Sequence, residues 1–172
     1  MSAEEELQEH AEHAKQPFDK KVAATMAIIA AAMAVVTVLG QLSVSEELLS
    51  QQKASDQWSY YQAKSIRRYQ SDVARDMLVA LKGDSKMADK YAENGKKYRE
   101  EGDKIQDGAR ELEKESAAKG REALRFHFGE VFLEIALVFA SLAILTKRSI
   151  LWLTAIALGA VGIGSALTTL ML

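Results

Sequence analysis

The hydrophobic residues of this chain are gathered into blocks. Residues 22–44 carry no charge over 23 positions, and residues 150–172 carry none over another 23. Wound as a helix at about 1.5 Å per residue, either block reaches across a hydrocarbon layer of roughly 30 Å. A third apolar stretch, residues 126–146, is of the same kind except for Glu130 and Glu134. The polar segment between residues 44 and 126 has a different period. Tyr91, Tyr98, Ile105 and Leu112 recur every seven residues, and Gly95, Gly102, Ala109, Ser116 and Ala123 recur at the same interval four positions on. Large positions alternating with small ones let a partner helix come close, big side chains lying over the gaps. The obvious mate is residues 46–81. The pattern therefore predicts an all-α membrane protein of three transmembrane helices, with a long extramembrane antiparallel helical hairpin, coiled-coil-like, between spans one and two.

Breaker residues divide the chain further. Residues 1–16 read as an acidic N-terminal helix or tail, and Pro17, the only proline, suits the first turn of a helix, where its missing N–H costs nothing. Residues 17–44 form the first span, and residues 45–125 form the hairpin with its turn at 83–85. Residues 126–146 make the second span, 147–149 a cytoplasmic turn and 150–172 the third span. Residues 45–82 hold neither proline nor glycine, so span and first arm are expected to be one helix. At the turn, Gly83 suits a C-terminal cap and Asp84 or Ser85 the next N-cap. In the spans, Ala155, Gly159, Gly162 and Ala166 recur at intervals of three or four, as do Ala23, Ala27, Ala30, Ala31 and Ala34 in the first and Ala136, Ala140 and Ala143 in the second. Such spacing in lipid marks helix–helix contacts, against the rival reading that the glycines line a pore or a hinge.

Charge sets orientation and narrows the partners. Lys20 and Lys21 precede the first span, no basic residue follows it until Lys53, and Lys147 and Arg148 sit in the turn between spans two and three. The positive-inside rule then places the N-terminus in the cytoplasm and the hairpin and C-terminus outside. The run behind the acidic head is too long for the core of a cleavable signal and reads as a retained anchor. Residues 45–125 carry 17 Lys and Arg against 16 Asp and Glu. This balance argues for a solvated helical coil and against a nucleic-acid surface. The partners expected are the lipid bilayer and further copies of the chain or a larger membrane complex. With no cysteine, disulfides and thiolate metal sites are excluded.

Few residues invite chemistry. Glu134, with Glu130 and His127 on the same helix face, is an ionisable group within an apolar block, costly unless paired, protonated or wet. It either handles a proton or cation or sits at headgroup level. His10 and His13, three apart with Glu6 and Glu9 nearby, have a spacing that could hold a divalent metal, against the plainer reading of solvated side chains on a tail. Trp58 stands with Tyr60, Tyr61 and Tyr69 too far beyond the span for an interfacial belt, and fits the stalk core or an oligomer interface. No nucleophile–base pair and no phosphate loop is present, so neither an enzyme nor a cofactor is expected.

The run from Ser45 to Trp58, continuing through Tyr60 to Arg67, resembles bacterial membrane proteins of domain of unknown function 4337, whose acidic, histidine-bearing head and three-span layout are also similar. That resemblance implies an inner-membrane setting and brings no catalytic residue with it. The function expected is a non-enzymatic membrane protein that self-associates or docks through its stalk and small-residue spans. The alternative is a small ion channel or ion-coupled transporter subunit using Glu134.

Overall fold

The computed structural model describes residues 17–171 and is wholly helical over them apart from two short turns. Helix α1 runs Pro17–Ala80, α2 Ser85–Thr146 and α3 Ser149–Leu170. All three are long and apolar enough, over part of their length, to cross a membrane. The acidic head, with His10 and His13, lies outside the described residues.

The α1–α2 turn closes by backbone hydrogen bonding. Gly83 donates to the Leu78 carbonyl at 2.9 Å and Lys82 to the Val79 carbonyl at 3.2 Å, the paired bonds of a Schellman cap. The left-handed residue of that cap is Lys82, with φ 49°, and no glycine has positive φ. Gly83 instead occupies the next position. Asp84 does start α2, its Oδ1 accepting the Lys86 N–H at 2.9 Å as an N-cap does. The α2–α3 turn uses a second left-handed residue, Lys147, with φ 57°.

Contacts divide the chain into two units, Ser45–Lys119 and a second made of the α1 start with Gly120–Leu172. The second unit therefore takes residues 120–125, which the sequence assigns to the hairpin; Ala123 is buried within it, and the Arg125 carbonyl accepts the Ser165 hydroxyl. Two apolar clusters hold this unit. One joins Ile29 and Val36 of α1 to Phe126, Leu133 and Ala136 of α2 and Ala166 of α3. The other joins Val22 to Ala140, Ala143 and Ala155, with Phe18 and Trp152 packed edge to face at 6.0 Å. The alanine series behaves differently in each helix. Ala136, Ala140 and Ala143 are buried, whereas Ala23, Ala27, Ala30, Ala31 and Ala34 are exposed. The packed side of α1 is built from Val22, Ile29 and Val36 instead, with Gly40 close against Phe126.

Candidate functional site

In the Ser45–Lys119 unit the two arms lie side by side in opposite directions. Glu46 meets Lys119 at 3.0 Å, Trp58 donates through Nε1 to Glu113 at 2.8 Å, and the Lys64 ammonium reaches Glu101. Gly95, Gly102 and Ala109 are buried where the arms touch, while Tyr91, Tyr98, Ile105 and Leu112 are half-buried beside them. Tightness varies along this line. A methyl on Gly95 would come within 2.9 Å of the Asp72 carboxylate, the mobile end of a side chain, whereas one on Gly102 would meet the Tyr61 ring at an ordinary 3.6 Å. Gly108 faces open space. Trp58 is half-buried, stacked edge-on to Tyr61 at 5.7 Å, and walls a shallow cleft with Ala54, Ser55 and Ser116.

Lys64 is the polar centre of the hairpin. Its ammonium lies 5.3 Å from the Tyr60 ring and 5.5 Å from the Tyr98 ring, within cation–π range. The hydrogen bond with Glu101 raises the lysine above its ordinary value and lowers the glutamate below its own, burial opposing both shifts. A depressed carboxylate stabilises the fold above its unfolded value and loses that contribution as pH falls through the folded one. The lysine's contribution is present below its ordinary 10.5 and fades only as pH rises through a still higher value. The melting-temperature gap between the protein and Glu101→Gln should therefore hold through neutral pH and close as pH drops below 4.5. A gap unchanged in acid would show that this pair is not its source.

In the other unit, polar side chains sit where α1 faces α2. The Thr37 hydroxyl donates to Glu130 Oε1, and His127 Nδ1 lies 3.2 Å from the other oxygen of the same carboxylate. Glu130 is half-buried. Glu134, one turn further, is exposed and has no hydrogen-bond or ion-pair partner among the described residues. At the opposite end of the unit Lys147 pairs with buried Asp19, and Trp152 Nε1 donates to Thr25 Oγ1 at 3.1 Å. Gly159, Gly162 and Ala166 are all buried. The closest approach is between Gly129 and Gly162, whose backbones leave no room for a Cβ on either. Among the described residues, no three or more His, Asp or Glu side chains gather as metal ligands.

Sequence reasoning missed the Asp19–Lys147 pair and the role of Thr37. The signals were there: an acid at the foot of an uncharged block, a lysine in the turn at the same expected level, and a hydroxyl within the block. The features together define an all-helical protein with three helices able to cross a membrane by length and composition. The chain belongs to the family described as Domain of unknown function (DUF4337), which matches residues 18–172, the family that the motif around Trp58 resembles. No curated protein and no solved structure matches the chain.

Proposed function

We propose that this chain is a non-enzymatic integral protein of the bacterial inner membrane that self-associates, or docks into a larger membrane complex, through a coiled-coil-like stalk and its spans. The observation that carries this reading is Glu134, exposed and without a partner among the described residues, about 12 Å along α2 from Phe126 at 1.5 Å per residue. A carboxylate facing hydrocarbon is costly and is covered by protein or water in stable membrane proteins. Among the described residues of one chain none bonds to it, and a neighbouring subunit is the cover this reading assigns. The exposed alanines of α1 supply a second surface on which backbones can approach.

Mass measurement in mild detergent tests the reading directly: an oligomer is expected, and a protein that is monomeric at all concentrations removes it. Glu134→Gln, which keeps volume and removes charge, should weaken that assembly while leaving helicity unchanged. The ion-pathway alternative expects the same variant to keep assembly and abolish a pH-dependent cation or proton flux in vesicles. The N-terminus is assigned to the cytoplasm and the stalk to the outside by Lys20, Lys21, Lys147 and Arg148. A membrane-impermeant thiol label should reach a cysteine placed at Asp84 in intact cells, and one placed at Arg148 only after permeabilisation. The reverse pattern overturns the orientation.

A further inference from the structure

Within the Ser45–Lys119 unit, α1 has two faces. One meets α2 through Ala54, Tyr61 and Lys64. Another is exposed throughout and follows a regular count from Leu48 by steps of four and three to Val73, with Met77 a turn beyond. The lower part of this line is Gln52, Ser55, Ser59 and Gln62; the upper part is Ile66, Tyr69, Val73 and Met77. Ten charged residues lie between positions 46 and 76 of this helix, and none falls on the line. Ile66 is 58% exposed and Met77 62%, so apolar surface is left open on an otherwise heavily charged arm.

We infer that this face of α1 pairs with the same face of a second copy of the chain, parallel and in register. The inference rests on the reading that copies share one membrane and one orientation, which makes their α1 helices run the same way. In a parallel pair about a twofold axis, residues near the axis meet their own counterparts. A charge there would face its like, so self-pairing requires an uncharged line; a different partner could instead be recognised through opposite charges. The residues present satisfy that condition. Glutamine amides and serine hydroxyls both donate and accept and can bond to their own copies, while Ile66 and Val73 pack. The four-three alternation is the heptad count of a coiled coil, and it puts Ile66 and Val73 at the position where β-branched side chains favour two parallel strands, with Leu48 at the other core position. The Asp76 site, where a strict heptad would continue, marks the end of the line.

The chain has no cysteine, so single-cysteine variants in native membranes test the surface cleanly. Oxidation should link Ile66→Cys and Val73→Cys into dimers with a yield at least about fivefold above Lys53→Cys and Asp103→Cys, because a disulfide needs Cα atoms within about 7 Å. Adding Ile66→Glu to the Val73→Cys protein should cut the link by a similar factor, with helicity unchanged because Ile66 is not part of the α1–α2 contact. Co-expression of Ile66→Glu and Ile66→Lys chains should restore it. Equal linking at all four sites, or a maximum at Lys53 or Asp103, overturns this surface. If mass measurement still shows an oligomer in that case, self-association stands and only its location is wrong. A monomer by mass and no link at any site overturns both.

Discussion

Gly162→Ala should destabilise the three-helix unit by about 1–3 kcal/mol, the range for overpacked cores, and Gly162→Leu by more. The cause is a backbone contact. A Cβ at Gly162 would sit 2.7 Å from the Gly129 carbonyl oxygen and 2.8 Å from Leu133 Cγ, and a Cβ at Gly129 would sit 2.9 Å from the Gly162 carbonyl oxygen. Neither carbonyl can move without its helix, and Leu133 is fully buried. A close backbone approach of this kind lets dispersion hold α2 to α3, the contribution that dominates where helices pack in lipid. Two other glycines serve as controls. Gly164 has nothing within 4 Å and Gly102 has only the Tyr61 ring at 3.6 Å. Alanine at either should be neutral or stabilising by up to about 1 kcal/mol, through helix propensity alone. Reversible unfolding in mixed micelles, followed by circular dichroism, gives the comparison. If Gly162→Ala is no worse than Gly164→Ala, the close α2–α3 contact is wrong.

That contrast shows what a sequence can carry. Seven-residue recurrence marks Gly95, Gly102 and Ala109 as the side of α2 that meets another helix, because period alone fixes which residues share a face. Period says nothing of distance, and the tightest approach lies at Gly129 and Gly162, where two separate helices must be superposed before the contact exists. The alanines of α1 make the same point. Their spacing marks a surface suited to close packing, but spacing cannot tell a contact within the chain from one outside it, and Val22, Ile29 and Val36 make the inner face. Helices long and apolar enough to cross a membrane were legible because an uncharged block of 23 residues has few alternatives in water. The turn was legible in outline from Gly83 and Asp84. Lys82 takes the left-handed position because the cap counts from the last hydrogen-bonded residue of the helix, which composition does not reveal. Glu130 and Glu134 look alike in sequence; one turn of helix, about 100° per residue, separates a carboxylate held by Thr37 from one with no bonding partner among the described residues.

The pair formed by Asp19 and Lys147 lies 128 residues apart in sequence, and cutting it should be costly. Asp19 is only 6% exposed, and its Oδ1 is buried with no hydrogen-bond partner among the described residues, so the carboxylate depends on the Lys147 ammonium at Oδ2. Removing one member of a fully buried pair costs about 3–5 kcal/mol, because the survivor is left charged and dry. The Lys147 side chain is 48% exposed, which lets water reach the site and lowers the expectation for Lys147→Met to about 2 kcal/mol. Lys147→Gly should lose somewhat less, since glycine relieves a left-handed backbone that costs other residues about 1 kcal/mol. Asp19→Asn on its own leaves the lysine free to turn to solvent and should cost less than Lys147→Met. The double variant Asp19→Asn with Lys147→Met should then recover much of the loss, since no buried charge remains. Lys147→Arg keeps both the pair and the positive charge of the turn, so it separates a loss of stability from a change of membrane orientation. Unfolding free energies of the unaltered protein, Asp19→Asn, Lys147→Met and the double variant form a double-mutant cycle. If the two single losses simply add, the contact contributes nothing, and the attachment of the start of α1 to the α2–α3 turn must be assigned to the packing of Val22, Phe18 and Trp152 alone.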